Sequence, residues 1–357
     1  MRESTRIANL LIMAIAISVP IVGTDQYLRF AKFPKDNARV MLLSGGRLDS
    51  SGSGIRRYTP NSYLRHSAVY GDVLEYSYGF KTDRNGFRVT YECNTGNEGS
   101  NLVAITGDSF TEGQGSNSSW AGRIQKRLCD QGYNSINASV AGYGVEGMKD
   151  SLDYAHKELG AKKAIVAIIP DDIYRPRRPM ISNLTCSMYE SRRCGDSATW
   201  WHHPEEFTPK ELIAFANSKY DFGIYPVLTI LKDKLKFKLK QLIDYRNNSS
   251  SSGSSGSSGR HEIIDKSISA MHSIASTYGA KNVSLIILPT KNDRELEGSS
   301  EVKARRSTDL REFLNSLHKD ISVKDLRDCP LDARHFFRID GHPNEKGHKQ
   351  LGICASM

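Results

Sequence analysis

The sequence lacks the residue spacings that usually hold a zinc ion. No Cys-x-x-Cys pair occurs among the six cysteines, and His202 and His203 are adjacent rather than spaced to share one face of an element. We therefore expect no metal site. The sequence also has no recognisable nucleic-acid-binding module and no arginine-rich arm, although its formal net charge is +9. That charge then favours other anionic neighbours, such as a phospholipid surface or an acidic polysaccharide, and nucleic acid is not an expected partner.

The cysteines that are present suit an oxidising compartment. Cys186 and Cys194 bracket the short loop CSMYESRRC, and this spacing predicts a local disulfide. The alternative is that all six cysteines are free thiols.

Charged residues are absent from one long run near the N-terminus. Residues 7–23, IANLLIMAIAISVPIVG, follow Arg2 and Arg6. The segment VGTDQ at 22–26 fits a signal-peptidase site poorly, and the run is at the short end of the range for a membrane span. We expect residues 1–30 to form an uncleaved signal-anchor and transmembrane helix, with the rest of the chain outside the cytoplasm. A cleaved signal peptide and a buried core helix are the alternatives.

Residues 31–95 are rich in aromatic residues and turn formers. The stretch YGDVLEYSYGFKTDRNGFRVTYE alternates in polarity, and Asn85-Gly86 within it favours a tight turn. This pattern predicts a hairpin or a small β-rich lead-in.

From Leu102 onward, short apolar runs alternate with helical patterns. The runs lie at 102–106, 133–137, 163–169, 283–288 and 321–326, and the helical patterns near 118–130, 145–158, 260–278 and 300–318. Strands that are apolar on both faces and alternate with helices predict a parallel sheet covered on both sides. With right-handed crossovers, residues 96–357 are expected to form a three-layer α/β domain.

An insert at 171–259 interrupts this α/β pattern. Within 231–243, four leucines recur on one face of a predicted helix, which either lies on a membrane or packs on the protein body: Leu231, Leu235, Leu239 and Leu242. Residues 249–259, SSSSGSSGSSG, cannot form a core and are predicted to be a flexible linker.

Polar and glycine-rich segments follow four of the predicted strands. Ser109 follows the first strand, and NASVAGYG (137–144), PDDIYR (170–175) and RIDGHPNEKGH (338–348) follow the second, the third and the last. Because ligands bind beyond the carboxyl ends of parallel strands, these segments are predicted to converge on one site. The Gly-Asp-Ser segment that ends at Ser109 also suits an ordinary turn, but a turn alone does not predict this convergence.

Three residues in these segments have the chemistry of an activated nucleophile. The Ser109 hydroxyl becomes reactive only when a base removes its proton, and His342 is the best candidate for that base. Asp340, two residues earlier, would hold the imidazole in the required tautomer. The backbone N–H groups of Ser109 and Gly142 would stabilise the oxyanion, since glycine lets the backbone approach a ligand closely.

The motifs GDSF (107–110) and DGH (340–342) together resemble those of the SGNH, or GDSL-type, superfamily of esterases and acyltransferases, which has a flavodoxin-like α/β fold. FKTDRNGFR (80–88) is similar to a segment found upstream in membrane-anchored bacterial members. The resemblance covers residues 75–357 apart from the insert. It implies that Ser109 is the nucleophile and an oxyanion donor, Gly142 a second donor, His342 the base and Asp340 its acid partner.

The sequence departs from the family pattern at two places. The third family block carries Gly-x-Asn-Asp, whose asparagine donates to the oxyanion, whereas this chain has Ile169-Pro170-Asp171-Asp172. Because a carboxylate repels an oxyanion, Asp171 is expected to serve as the third donor only when it is protonated. The acid partner also lies two residues before the histidine rather than the more usual three.

The resemblance implies a serine esterase that removes acyl groups, with O-acetyl the expected group, from envelope or extracellular carbohydrate. The reaction would pass through an acyl-enzyme on Ser109 and need no cofactor. The alternatives are an O-acetyltransferase that modifies a polysaccharide with the same site, and a catalytically weak carbohydrate-binding module of SGNH type. The expected location is the bacterial cell envelope, with the N-terminal helix in the inner membrane and the body in the periplasm.

Overall fold

The computed structural model describes residues 2–31, 39–43, 47–49, 55–58, 60–93, 101–175, 208–219, 255–291 and 300–356, with short pieces at 223–224, 227–228, 231–232 and 235. The chain divides into two compact units. The small unit comprises Met1–Met41, Ala68–Leu74 and Glu206–Ser254, and the large unit comprises Leu42–Ser67, Glu75–Glu205 and Ser255–Met357.

The centre of the large unit is a five-stranded parallel sheet. Its strands are β7 (Leu102–Gly107), β8 (Asn134–Asn137), β9 (Lys163–Ile168), β10 (Val283–Ile287) and β11 (Ser322–Asp325). Their spatial order is β11-β10-β9-β7-β8. Counted along the chain, this is the 2-1-3-4-5 order of flavodoxin-like folds, in which the ligand crevice lies between the first and third strands. The predicted parallel α/β sheet is therefore confirmed.

Helices cover both faces of this sheet. They are α2 (Ser109–Glu112), α3 (Trp120–Asp130), α4 (Val145–Leu159), α6 (Ser255–Tyr278), α7 (Ser300–Asn315) and α8 (Glu345–Ser356), with 3-10 turns at Pro170–Tyr174, Ala280–Asn282 and Ala333–His335. Alternate residues of β10 enter two separate cores. Leu285 and Ile287 pack with residues of α4, α6 and α7, whereas Ile286 packs with residues of α3 and α8. This alternation produces the three layers expected from strands that are apolar on both faces.

The lead-in segment forms β-structure, as its alternating pattern predicts. The strands are β1 (Arg39–Leu43), β2 (Arg47–Asp49), β3 (Arg56–Tyr58), β4 (Tyr63–Tyr70), β5 (Val73–Thr82) and β6 (Arg88–Val89). Four of them form a sheet in the order β1-β4-β5-β6, and β2 pairs with β3. The predicted hairpin joins β5 to β6, with Thr82 opposite Arg88. Gly86 in its turn has a φ of 78°, a left-handed conformation that glycine adopts without strain.

The small unit contains helix α1 (Arg2–Phe30) and helix α5 (Pro209–Lys219). Near the end of α1, Asp25 accepts hydrogen bonds from the Arg29 side chain (2.7 Å) and from the Ile224 N–H group (2.8 Å). Within the described part of the chain, no helix combines the length and the apolar character that crossing a bilayer requires. The transmembrane helix predicted for residues 1–30 is thus not confirmed.

The end of the insert differs from the expectation. Helix α6 begins at Ser255, inside the tract 249–259 that was predicted to be a linker. A helix that is already nucleated gains one hydrogen bond for each residue added, so it can extend into a sequence of poor helix formers. Residues 249–254 lie outside the described residues. In the predicted leucine-rich helix, only residues 231–232 and 235 are described; they are helical, and Leu231 and Leu235 are exposed.

In the part of the chain that the structure describes, two disulfides tie segments of the large unit. Cys93 is bonded to Cys129 on α3, and Cys329 is bonded to Cys354 on α8. The alternative in which all six cysteines are free is therefore wrong. The pair predicted from sequence, Cys186 and Cys194, lies outside the described residues.

Candidate active site

Ser109 lies at the point where strand β7 turns into the single helical turn α2. Asp108 caps this turn, because its side chain accepts a hydrogen bond from the Phe110 N–H group (2.9 Å). Gly107 ends the strand where the chain passes very close to its neighbours. A Cβ atom at this position would lie 2.6 Å from the Ala167 carbonyl oxygen, so the tight passage requires glycine. Ser109 itself is 7% exposed.

His342 lies on the loop between β11 and α8, and its Nε2 atom is 2.6 Å from the Ser109 Oγ atom. On the other side of the ring, Nδ1 is hydrogen-bonded to the Asp340 carboxylate. The same carboxylate oxygen accepts a hydrogen bond from the His342 backbone N–H group (3.1 Å), which fixes the short Asp-Gly-His turn. With Nδ1 donating to Asp340, Nε2 has the lone pair needed to accept the serine proton. The structure thus brings the three predicted side chains into one hydrogen-bonded chain.

The two backbone N–H groups that the sequence predicts as oxyanion donors belong to Ser109 and Gly142. Ser109 is the first residue of α2, a position whose N–H group has no partner within the helix. Gly142, in the turn after β8, has a φ of 77°, so glycine is required there for its backbone conformation. Among the residues that the structure describes, no acceptor is bonded to either N–H group. Their role as oxyanion donors stays a prediction.

Asp171 lies in the 3-10 turn that follows β9, and its side chain is half-buried. This places it after the neighbouring strand of the sheet, as the sequence predicts. Its role as a third oxyanion donor stays a prediction.

Sequence reasoning did not identify the ion-pair network beside the nucleophile. Arg175 Nη1 lies 2.9 Å from Asp108 Oδ2 and 2.6 Å from Asp172 Oδ1, and both aspartate side chains are fully buried. Burial, and then the negative charge of Asp108, raise the pKa of Asp172 well above its ordinary value. The network joins the cap of α2 to the turn after β9. The only sequence signal was the position of Arg175 within PDDIYR, directly after a strand.

A second missed residue is Arg88, the last residue of FKTDRNGFR. Its guanidinium is buried and donates to the backbone oxygens of Glu112 (3.0 Å), Gly113 (2.7 Å) and Ser116 (2.5 Å). It also lies 5.1 Å from the ring centres of Tyr78 and Phe80. Burial lowers the pKa of Arg88 from its ordinary value. Arg88 therefore holds the loop that follows the nucleophile, which gives the upstream motif a structural role.

No protein-family model matches this sequence, and no curated protein matches it. Several solved structures are similar in fold. A lipase/acylhydrolase from Enterococcus faecalis is 12% identical with a TM-score of 0.36, over 72% of this chain and 93% of that chain. The esterase EstA from a Pseudoalteromonas species is 9% identical with a TM-score of 0.38, over 72% and 95%. The acetylxylan esterase Axe2 from Geobacillus stearothermophilus, solved as a catalytic mutant, is 9% identical with a TM-score of 0.37, over 72% and 94%. Identities and TM-scores this low assign neither a family nor an activity to the chain.

Proposed function

We propose that this protein is a serine ester hydrolase of SGNH type that works through a covalent acyl-enzyme on Ser109. The observation that carries the proposal is the hydrogen-bonded chain from Asp340 through His342 to the Ser109 hydroxyl. A serine, a histidine and a carboxylate in this order form a general-base-activated nucleophile, whatever fold holds them.

In the first half of the reaction, Ser109 Oγ attacks the acyl carbonyl carbon while His342 Nε2 takes its proton. Asp340 stabilises the imidazolium that forms and keeps the ring oriented. When the tetrahedral intermediate collapses, the ester C–O bond breaks and His342 returns the proton to the leaving alcohol. In the second half, His342 takes a proton from the water that attacks the acyl-enzyme. The bond between the acyl carbon and Ser109 Oγ then breaks, His342 returns the proton to Oγ, and the carboxylic acid leaves.

The N–H groups of Ser109 and Gly142 would bind the oxygen that becomes negatively charged in both halves. Such donors act most strongly when they are already in place before the charge develops. Asp171 would add a third donor only in its protonated form, because an ionised carboxylate repels the oxyanion.

The proposed substrate is an acylated, and specifically an O-acetylated, carbohydrate of the bacterial envelope or extracellular space. Support comes from the motif resemblance and from the net charge of +9, which favours an acidic polysaccharide. The two disulfides support an oxidising, extracytoplasmic location. Attachment to the inner membrane through residues 1–30 belongs to the same proposal, and extraction of the cell membrane fraction at alkaline pH would test it.

The activity is tested by incubating the purified full-length chain with O-acetylated polysaccharides and measuring released acetate, with Ser109→Ala as the control. Release that Ser109→Ala abolishes supports the hydrolase. Acetyl groups that appear on an added sugar acceptor, with little free acetate, would instead identify the O-acetyltransferase. Polysaccharide binding that is equal in both proteins, without any turnover, would identify the binding module.

A further inference from the structure

We propose that Glu112 is a positioning residue that keeps the Gly142 N–H group in the position, relative to Ser109, that binding of the oxyanion requires. This inference rests on the proposed function, since it assigns Glu112 a role in building the oxyanion site. Glu112 does not touch the reacting atoms and acts through the loop 138–144, which we call the oxyanion loop.

The carboxylate of Glu112 is buried and connects two other segments of the large unit. Its Oε2 atom accepts a hydrogen bond from the Ala141 N–H group (2.7 Å), and its Oε1 atom accepts one from the Tyr58 hydroxyl group. The residue is 1% exposed, so water does not compete for these donors. The bond to Ala141 is made directly next to Gly142. Glu112 therefore contributes directly to the position of the peptide before the proposed oxyanion donor.

Glu112 and Ser109 belong to the same rigid turn. They are the last and first residues of α2, and the N–H groups of Gly113 (3.1 Å) and Gln114 (2.9 Å) close the turn on the Ser109 carbonyl oxygen. A displacement of the carboxylate relative to the nucleophile would have to deform this turn. Ser109 and the Glu112 carboxylate that binds the oxyanion loop therefore keep a fixed position relative to each other.

A second contact ties the start of the same loop to α2. Asn137 donates from Nδ2 to the Thr111 carbonyl oxygen (3.0 Å), and its Oδ1 atom accepts from the Ser139 N–H group (3.3 Å). The oxyanion loop is consequently held at its start by Asn137 and at its middle residue, Ala141, by Glu112. Backbone bonds from the Val140 N–H group to the Gly107 carbonyl oxygen (3.1 Å) and from the Tyr143 N–H group to the Val140 carbonyl oxygen (3.1 Å) add to this support, and the bond to Glu112 is the one made at the residue directly before Gly142.

The position of that segment matters because an oxyanion donor must lie within about 2.7–3.1 Å of the developing charge. Removing one such donor lowers the turnover of serine hydrolases by about 10²–10³-fold. Loss of the Glu112 carboxylate would misplace Gly142 without removing it. The expected effect is therefore at the lower end of that range and falls on kcat rather than on KM.

The experiment measures the second-order rate of fluorophosphonate labelling of Ser109 in the full-length chain, because the phosphonyl oxygen occupies the oxyanion site. We expect Glu112→Ala to lower this rate by about 10²-fold. Glu112→Gln should stay within about threefold of wild type, since its amide oxygen can accept from Ala141 and its NH₂ group can donate to the Tyr58 hydroxyl oxygen. Glu262→Ala, which removes an exposed carboxylate paired with Lys266, is the control and should label at the wild-type rate.

Amide hydrogen exchange provides an independent readout. Peptides that cover 138–144 should exchange faster in Glu112→Ala than in wild type, whereas peptides from the distant strand β10 should not change. A purely structural role for Glu112 would raise exchange throughout the large unit and leave the labelling rate of the folded fraction intact.

The outcomes separate this inference from the proposed function. An unlabelled wild-type chain would overturn the proposed function itself. A labelled wild type together with wild-type labelling of Glu112→Ala would overturn only the role of Glu112. If Glu112→Ala does not fold, Glu112→Asp replaces it, because its shorter side chain withdraws the carboxylate from Ala141. Equal labelling of Glu112→Asp and Glu112→Gln would then reject the inference, and slower labelling of Glu112→Asp would support it.

Discussion

Arg175 forms an ion pair with Asp108, the residue immediately before Ser109, with 2.9 Å between Arg175 Nη1 and Asp108 Oδ2. The same guanidinium also pairs with Asp172, and both carboxylates are fully buried while Arg175 is 30% exposed. One partly exposed cation therefore neutralises two buried acids that belong to loops after adjacent strands. Arg175 therefore contributes to the position of Asp108, whose side chain caps α2 next to Ser109.

Replacement of Arg175 by methionine should lower the free energy of unfolding by about 3–5 kcal/mol, because it leaves the buried carboxylates of Asp108 and Asp172 without a cationic partner. Urea unfolding of the full-length chain measures the change. Adding Asp172→Asn to Arg175→Met should recover part of the loss, since one of the two buried charges is then absent. If the single variant is as stable as wild type, the ion pair does not have the role assigned to it.

We expect the replacement of Arg88 by lysine to lower the stability of the protein. The guanidinium reaches the carbonyl oxygens of Glu112, Gly113 and Ser116 at once, and an ammonium group cannot reproduce this planar fork. Each buried carbonyl left without a donor costs about 1–3 kcal/mol, so Arg88→Lys should lower the free energy of unfolding by at least about 2 kcal/mol. Arg84→Lys, an exposed change in the same hairpin, should stay within about 0.5 kcal/mol of wild type. Similar urea midpoints for the two variants would contradict the role of Arg88.

Because His348 binds a proton more readily in the unfolded chain, it should lower the free energy of unfolding in mildly acidic solution. Burial, and then the positive charge of Arg88, lower the pKa of His348 from 6.5 to about 3. Between these values the unfolded chain binds a proton that the folded chain does not, so the free energy of unfolding falls as the pH drops below about 6.5.

Below about pH 6.5, His348 should lower the free energy of unfolding by about 1.4 kcal/mol for each pH unit. In His348→Asn, whose side-chain oxygen can still accept from the Trp120 N–H group, this contribution should be absent. Wild type should thus lose about 2 kcal/mol more than the variant between pH 7.5 and pH 5 in urea unfolding. Parallel pH profiles for the two proteins would show that His348 is not held neutral.

Asp340 is expected to act through the tautomer of His342. Asp340→Asn keeps the size of the side chain but removes the carboxylate that holds the proton on Nδ1. We expect kcat for ester hydrolysis to fall by about 10⁴-fold with little change in KM. Asp130→Asn, which alters an exposed pair with Lys126 on α3, is the control and should leave kcat unchanged. A loss of less than about tenfold in Asp340→Asn would exclude Asp340 as the orienting acid.

The sheet could be predicted from the sequence because its signals are local. Each strand is a short apolar run, and Ser109, Gly142 and His342 each follow a run or precede a helix, so the rule that loops after parallel strands converge was sufficient to group them. The Asp340–His342 pair could also be predicted from the sequence, since the two residues are almost adjacent in the chain.

The residues that the sequence did not indicate act through contacts between distant segments. Arg88 reaches Ser116, 28 positions later, and Arg175 reaches Asp108 across 67 positions. A buried arginine and a surface arginine look identical in sequence, and only packing decides between them. The same reason explains the missed disulfides: Cys93 and Cys129 are 36 positions apart, whereas the sequence favoured the closely spaced pair Cys186 and Cys194.

The most direct test of the account is labelling of the full-length chain with a fluorophosphonate, followed by mass spectrometry of the modified peptide, in wild type, Ser109→Ala and His342→Ala. We expect a single label on Ser109 that both substitutions abolish, because the hydroxyl is reactive only when His342 accepts its proton. A folded wild-type chain that takes up no label, or that is labelled on Ser109 equally well without His342, would contradict it.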